Sequence, residues 1–356
     1  MAVADLAREL VSIPSHDDPG PAGDRIEAWL REQTAADVTR DDAGNVIARR
    51  PAGGSGGETL ALVGHHDVVP PDDSQLEGDE YRVDERDGRL YGRGSADMKG
   101  ALAAMLVAFR DADPAGGLAI ASFVGEEDGG VGCRAAIEAG FAPDYAVVGE
   151  GSTGYSAAGA IDVAVAHKGR RASTLVARGE SAHAGEPGAG VNAVYRACGA
   201  VEAVRGLDAP TATVLGHRLT GSLAVTGIEG GSAWNVVPDR CEVTVDERTV
   251  PGERAGVAAA AGEGVEWTVE QDLPPMRCSD GAFADAALAA AREAGDAAHV
   301  VKPHATDAGW LADAGAACVV CGPAEPGEAH TADESVSVAV LERCRRIYRT
   351  LAERWP

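Results

Sequence analysis

Short apolar runs alternate with amphipathic segments along this chain, up to about residue 150 and again after residue 274. The runs Leu60–Val63, Leu118–Val124, Tyr145–Val148 and Ala316–Val320 predict buried strands. The segments whose apolar spacing predicts helices are Met1–Ser15, Gly23–Ala36, Lys99–Ala112, Cys133–Ala139, Gly281–Gly295 and Asp333–Trp355. This alternation predicts an α/β domain with a mixed, mostly parallel sheet flanked by helices.

Residues 169–273 follow a different order of elements. The pattern predicts strand, helix, strand, strand, helix and strand at Ala172–Ala177, Val191–Val204, Ser222–Ile228, Arg240–Glu247, Gly252–Ala261 and Val265–Gln271. This order suits a ferredoxin-like α+β module. We therefore predict a catalytic domain formed by residues 1–168 and 274–356, interrupted by a smaller domain at residues 169–273. Pro274-Pro275 lies near one junction, as is typical of a linker.

Each predicted strand of the catalytic domain leads into a loop that carries His, Asp or Glu. His65-His66-Asp67, Glu126-Glu127 and Glu150 follow three of the strands, and His330 follows the last. Ligands collect beyond the carboxyl ends of the strands in open α/β sheets. Imidazole and carboxylate groups without thiolate are the ligands of a catalytic zinc site. The pattern therefore predicts a metallohydrolase.

Two of these loops, and the segment before the predicted helix Lys99–Ala112, suggest individual roles. His65 and Asp67 share a face of an extended backbone, so the imidazole of His65 can bind a metal while the carboxylate of Asp67 holds its other ring nitrogen. A solvated pair of side chains without a metal fits the same spacing equally well. Asp97 precedes a helix and fits either an N-cap or a carboxylate that bridges two metals. The adjacent carboxylates Glu126 and Glu127 need a cation or a raised pKa, which suits one metal ligand and one general base.

The strong negative charge of the chain argues against partners that are themselves negatively charged. The chain of 356 residues has 31 basic and 56 acidic residues, for a net charge of −25, and only three lysines. Such a surface repels nucleic acid and anionic membranes. Molar salt would screen the self-repulsion over about 3 Å, so we expect an extremely halophilic host, with an ordinary acidic protein as the alternative.

The remaining composition predicts a cytoplasmic protein. Seven scattered cysteines do not form a disulfide framework. Met1–Ser15 lacks the apolar centre of a signal peptide, and no apolar run reaches the roughly 20 residues of a membrane span.

Seven motifs together give the chain a recognisable pattern. They are Gly64-His65-His66-Asp67-Val68-Val69-Pro70, Gly92-Arg93-Gly94-Ser95-Ala96-Asp97-Met98-Lys99-Gly100, Glu126-Glu127, Val148-Gly149-Glu150, Ser181-Ala182-His183-Ala184, Asn235-Val236-Val237-Pro238-Asp239 and His330-Thr331-Ala332-Asp333-Glu334. In this order they resemble the zinc-dependent family of acetylornithine deacetylase, succinyl-diaminopimelate desuccinylase, aminoacylase and carboxypeptidase G. Gly151 departs from the proline that this family usually has after the equivalent of Glu150.

The resemblance implies a set of site residues. Two Zn²⁺ ions, with Co²⁺ as a substitute, would share Asp97; one would also take His65 and Glu150, and the other Glu127 and His330. Glu126 would be the general base, and Asp67 would orient His65. His183, Asn235 and Arg248 would contact the substrate from the inserted domain, which would act as a lid and form a homodimer. The family also implies a cis peptide bond between Asp97 and Met98.

The implied reaction is hydrolysis of the amide bond of a small N-acyl amino acid. A dipeptidase or carboxypeptidase of the same family is the alternative within the enzyme class, since a short peptide would fit the same chemistry. An inactive amino-acid-binding relative is the alternative outside it. Nothing in the charge pattern predicts nucleic acid or membrane as a partner.

Overall fold

The chain forms two compact units in the computed structural model, which describes residues 1–51 and 57–355. The first unit contains Met1–His167, Met276–Lys302 and Thr306–Pro356. The second unit contains Lys168–Pro275 and Pro303–Ala305.

The first unit contains the six helices that the apolar spacing predicts and one, Ala308–Asp313, that it does not. They are Val3–Val11, Gly20–Gln33, Gly100–Asp111, Val131–Glu138, Gly281–Ala294, Ala308–Asp313 and Val338–Arg354. The predicted start of the last helix at Asp333 is wrong. Ser335–Ser337 is instead a strand paired with Arg89–Tyr91, and Ser337 caps the helix by accepting the backbone N–H of Val340 at 3.4 Å.

A mixed sheet lies at the centre of this unit, which confirms the predicted α/β class. In spatial order its strands are Asp37–Arg40, Val46–Arg50, Gly117–Phe123, Thr59–His65, Tyr145–Val148, Ala317–Val320, Val163–His167 and Met276–Arg277, and His299–Lys302 also pairs with Val163–His167. The four strands from Gly117–Phe123 to Ala317–Val320 are parallel to one another, and each outer one pairs antiparallel with the next strand of the sheet. Beyond them, His299–Lys302 pairs in parallel with Val163–His167. The sheet is therefore mixed, with a continuous run of parallel strands at its centre.

Helices cover both faces of this sheet, as the alternation of side chains along the strand Thr59–His65 shows. Leu60 and Leu62 pack into one apolar cluster together with residues of the first helix and the last helix. Ala61 and Val63 point the other way, into a second cluster. Both sets are fully buried, which is why the strand is a nearly continuous apolar run in the sequence.

The second unit is an antiparallel sheet with a helix packed on it. Its strands, in spatial order, are Ser222–Gly230, Arg240–Thr249, Gly169–Arg178 and Val265–Leu273. The helix Ala193–Arg205 packs on this sheet through Ala197, Ala200 and Val204. The order of the four strands is that of a ferredoxin-like module.

The predicted helix Gly252–Ala261 in the second unit is wrong. Only a short 3₁₀ turn, Val257–Ala260, forms there. Gly252 and Gly256 have φ values of +108° and +76°, which an α-helix does not accommodate. The two glycines thus break the apolar spacing that suggested a helix.

Shorter elements complete the described chain. The remaining strands are Leu76–Glu77, Glu80–Tyr81, Asp84–Arg86, Arg89–Tyr91, Ala182–His183, Thr211–Val214, His217–Thr220 and Val236–Val237. Across residues 1–51 and 57–355, no helix has both the length and the apolar character that crossing a membrane requires.

Candidate metal centre

The parallel strands bring three of the predicted ligand loops to one edge of the sheet. His65 is the last residue of the strand Thr59–His65, which pairs in parallel with the strands on both of its sides. Glu126 and Glu127 follow one of these neighbours, and Glu150 follows the other. Because parallel strands end at the same edge, the side chains meet there.

Asp97 lies between two imidazole groups. Its Oδ1 is 3.1 Å from Nε2 of His65, and its Oδ2 is 3.2 Å from Nε2 of His330. The same His65 nitrogen is 3.2 Å from Oε1 of Glu150, and the same His330 nitrogen is 3.0 Å from Oε1 of Glu127. Each oxygen of Asp97 therefore faces a separate pair of one imidazole and one carboxylate.

The backbone at Asp97 has an unusual conformation. The peptide bond between Asp97 and Met98 is cis, as the family resemblance implies. The helix that follows begins at Gly100, and no side chain caps it. The carboxylate of Asp97 thus contacts the two imidazoles and does not cap the helix, so the N-cap alternative is wrong.

Asp67 connects two of the loops. Its carboxylate oxygens accept the backbone N–H groups of Glu126 and Glu127 at 3.3 and 3.2 Å. Its Oδ1 is 3.5 Å from Nδ1 of His65, and the same nitrogen is 2.9 Å from the Asp67 backbone oxygen. Asp67 therefore fixes the Glu126-Glu127 turn as well as the ring of His65.

The turn after Glu127 needs a glycine. Gly130 has a φ of +74°, and a Cβ placed there would lie 2.5 Å from Nε1 of Trp310 and 2.9 Å from Oδ1 of Asp307. Since no side chain fits in that space, the turn packs closely on the loop that leads into the helix Ala308–Asp313. This contact restrains the turn that follows the Glu126-Glu127 segment, in addition to the hydrogen bonds from Asp67.

The close packing of acids and imidazoles shifts the pKa of each group. Burial alone would lower the pKa of His65, but the carboxylates of Asp67, Asp97 and Glu150 hold it well above its usual value. Hydrogen bonds to Asp97 and Glu127 raise the pKa of His330 to about 10. The protonated imidazoles carry positive charge that divalent cations would replace, so metal binding releases protons here.

The two adjacent glutamates are electrostatically different from ordinary surface residues. Burial raises the pKa of Glu126 well above its usual value, and the negative charges of Glu150, Asp307 and Asp97 raise it further. Burial also raises the pKa of Glu127, although its hydrogen bond with His330 opposes this effect. A raised pKa suits Glu126 to accept and donate a proton near neutral pH.

Charged groups around these residues had no role in the sequence-based prediction. Arg93 and Glu334 form a buried ion pair, and Glu334 Oε1 accepts the backbone N–H groups of Ala96 and Asp97 at 3.0 and 3.2 Å. Both residues lie within the recognised motifs, and this was the one signal that could have found them. Asp307 is buried with its Oδ1 lacking a hydrogen-bond partner, and no sequence signal distinguished it.

The donor atoms fit divalent cations. Ligand atoms of His65, Asp97 and Glu127 lie within 4.8 Å of one another, and so do those of His65, Glu126 and Glu150. Imidazole nitrogen and carboxylate oxygen, with no thiolate among them, form the donor set of a catalytic site for zinc or a similar cation.

The residues predicted to bind substrate lie in the second unit. His183 and Asn235 are exposed, and they lie close together because the strand Ala182–His183 pairs with Val236–Val237. Arg248 is half-buried at the end of its strand, with Nε donating to Oδ1 of Asp246 at 2.8 Å. Its remaining N–H groups point to no other protein acceptor among the described residues, apart from a 3.5 Å contact with the same aspartate.

The sequence and the fold both match known proteins. Residues 61–354 match the family described as peptidase family M20/M25/M40. The chain belongs to this family. It is therefore a hydrolase of a metallopeptidase family, which confirms the resemblance seen in the motifs. An acetylornithine deacetylase from Myxococcus xanthus is 32% identical over 331 residues, or 86% of this chain and 84% of that protein.

Solved structures of this M20 family share the fold. Aminopeptidase PepT from Bacillus cereus aligns with a TM-score of 0.81 at 23% identity, over 99% of this chain and 97% of that one. The YXEP protein of Bacillus subtilis, described as a dinuclear metal-binding peptidase of the M20 family, aligns with a TM-score of 0.73 at 17% identity, over 99% and 96% of the two chains.

Gly151, where the chain departs from the usual proline, has a packing role. A Cβ at this position would lie 2.8 Å from the Ala324 side chain and 2.8 Å from its backbone oxygen. The segment after Glu150 therefore runs against Ala324 too closely for a larger residue.

Proposed function

We propose that this protein hydrolyses the amide bond of N-acyl amino acids of the acetylornithine or succinyl-diaminopimelate kind, using two zinc ions. The observation that carries the proposal is the carboxylate of Asp97, whose two oxygens face His65 and His330 separately. The acetylornithine deacetylase with 32% identity supports the choice of an acyl amino acid as substrate.

The proposed ligands divide into two sets. Asp97 belongs to both, His65 and Glu150 complete one set, and Glu127 and His330 complete the other. When bound, two divalent cations polarise the substrate carbonyl and lower the pKa of a water molecule towards about 7. The protein supplies three negative ligand charges for them, and the arrangement of His65 is fixed by Asp67.

Glu126 is the proposed general base and acid. Its raised pKa lets it take a proton from the attacking water and keep it while the tetrahedral intermediate forms. The same proton then passes to the nitrogen of the leaving amine. Because Asp67 holds the backbone N–H of Glu126, the carboxylate is presented from a fixed turn.

The second unit would bind the substrate. The guanidinium of Arg248, oriented by Asp246, is suited to pair with the substrate carboxylate. The exposed imidazole of His183 and the amide of Asn235 lie on neighbouring strands and offer hydrogen bonds to the acyl oxygen. The unit would act as a lid and as the contact in a homodimer, with His183 donated within or between subunits.

Peptide hydrolysis is the second candidate function. The likeness to aminopeptidase PepT, with a TM-score of 0.81, favours it. The two functions differ in what lies on the acyl side of the scissile bond, because a dipeptide has a charged α-amino group there and an N-acyl amino acid does not.

A substrate panel tests the proposal. Purified protein in molar KCl with added Zn²⁺ or Co²⁺ is assayed for amine release from N-acetyl amino acids, N-succinyl amino acids and dipeptides with the same C-terminal residue. We expect the highest kcat/KM for an N-acyl amino acid. A higher kcat/KM for the matched dipeptides would favour the peptidase, and no release from any of them would contradict both functions.

A further inference from the structure

Lys302 forms a hydrogen bond with Glu150, one of the proposed metal ligands. It ends the strand His299–Lys302, its side chain is buried, and its Nζ donates to Oε2 of Glu150 at 3.3 Å. The other oxygen of Glu150, Oε1, is 3.2 Å from Nε2 of His65. The carboxylate is thus divided, with one oxygen facing the imidazole of the centre and the other facing an ammonium group.

This ammonium group is unusual in this chain. Only three of its 31 basic residues are lysines, and the net charge is −25. A surface lysine can be exchanged for arginine with little effect on an exposed ion pair. A buried ammonium beside a metal ligand has a distinct consequence, because its charge repels a divalent cation bound to the same carboxylate.

We propose that Lys302 is a positioning residue that restricts Glu150 to a single metal-binding oxygen and weakens cation binding at that position. The inference rests on the proposed function, in which Glu150 is a ligand. A catalytic metal needs an open coordination position for water or substrate. A glutamate bound through both oxygens would occupy one more position, and the hydrogen bond from Lys302 to Oε2 prevents this.

A purely structural ion pair would behave differently. In that case Lys302 would affect the stability of the metal-free protein, and the number of Glu150 oxygens that bind the cation would not change. Loss of the ammonium group would also remove one of the two positive partners of the buried Glu150 in the metal-free protein, leaving the imidazole of His65. A bound cation would compensate that charge and bind more tightly in either case, so the cobalt absorption, which reports the coordination number, separates the two explanations.

Three variants test the role of the ammonium group. Lys302→Met removes both the charge and the donor, Lys302→Gln keeps an amide donor without the charge, and Lys302→Arg keeps the charge. Arg31→Met is the matched control, since it changes the net charge equally at an exposed ion pair with Glu27 in the same unit. Each metal-free protein is titrated with Zn²⁺ against a chromophoric chelator, and Co²⁺-loaded samples are compared by visible absorption.

We expect Lys302→Met and Lys302→Gln to bind one of the two cations at least tenfold more tightly than the unmodified protein. Lys302→Arg and Arg31→Met should stay within about threefold of the unmodified affinity. The cobalt absorption per ion should fall in Lys302→Met, because an added oxygen ligand raises the coordination number.

Two results would overturn the proposal. Unchanged cobalt absorption in the neutral variants would make Lys302 a structural partner only, and unchanged or weaker cation binding would show that its charge does not oppose the metal. Lys302→Gln serves as the test if Lys302→Met does not fold. A failure of the unmodified protein to bind any cation would instead contradict the proposed function, so the two failures are distinguishable.

Discussion

Glu334 accepts the backbone N–H of Asp97 at 3.2 Å, although the two residues are 237 positions apart in the chain. Glu334 comes four residues after His330, and His330 contacts the carboxylate of the same Asp97. One loop therefore holds Asp97 by its backbone and faces its carboxylate with an imidazole. The ion pair between Glu334 and Arg93 fixes this arrangement in a buried position.

Removing the Glu334 carboxylate should destabilise the protein and loosen the centre. Glu334→Ala leaves Arg93 as a buried, unpaired charge, and breaking such a pair costs about 3–5 kcal/mol of unfolding free energy. We also expect metal affinity to fall at least tenfold, because the backbone of Asp97 loses its acceptor. Urea unfolding and chelator competition measure the two effects. Glu342→Ala, at a partly exposed ion pair with Arg345, is the control and should leave both unchanged.

Asp307 should make the stability of the metal-free protein depend on pH. Burial, together with the negative charges of Asp67 and Glu150, raises its pKa from 3.8 to about 7. At a pH between these two values the native state keeps a proton that the unfolded chain has released. The contribution of this proton to the unfolding free energy is fully present below pH 3.8 and is lost as the pH rises through 7. At about 1.4 kcal/mol per pKa unit, the loss is up to about 4 kcal/mol.

Asp307→Asn tests this expectation, since its amide stays neutral at every pH. As the pH rises from 4 to 8.5, the unfolding free energy of the variant should increase relative to that of the unmodified protein. Urea denaturation with a chelator present measures both. Asp285→Asn, at an exposed position on a helix, should follow the unmodified protein. Parallel pH profiles for Asp307→Asn and the unmodified protein would show that Asp307 is ionised in the native state.

Glu126→Gln should separate catalysis from metal binding. The amide cannot take the proton of the attacking water, so kcat should fall at least about a hundredfold, the lower end for a general base. Both metals should remain bound, because Glu126 is not among the proposed ligands. Turnover and metal content are measured on the same sample. Asp128→Asn, an exposed acid two residues away, should keep its turnover; near-normal turnover of metal-loaded Glu126→Gln would remove Glu126 from this role.

The sequence predicted the elements whose apolar pattern is strong. The buried runs before His65, Glu127 and Glu150 formed neighbouring parallel strands, since a continuous apolar run is typical of a strand covered on both faces. The pattern did not predict the four-residue strand His299–Lys302, which is only partly buried and has a charged or polar residue at each end. Without that strand, the position of Lys302 beside Glu150 could not be inferred.

The contacts of Glu334 and Asp307 were also beyond prediction from the sequence. Glu334 follows a recognised histidine and resembles any polar residue before a helix, and its partner Arg93 is far away in the chain. Its role follows from tertiary contact with a backbone N–H, which no local spacing encodes. The helix predicted at Gly252–Ala261 failed for a local reason, because two glycines with positive φ interrupt it.

Metal stoichiometry tests the central claim most directly. Folded protein is stripped with a chelator, dialysed against Zn²⁺ and buffer, and analysed by inductively coupled plasma mass spectrometry beside Asp97→Ala and the control Asp285→Asn. We predict two zinc ions per chain for the unmodified protein and the control, and fewer than one for Asp97→Ala. Folded unmodified protein without bound zinc, or two tightly held ions in Asp97→Ala, would contradict a metal pair shared through Asp97.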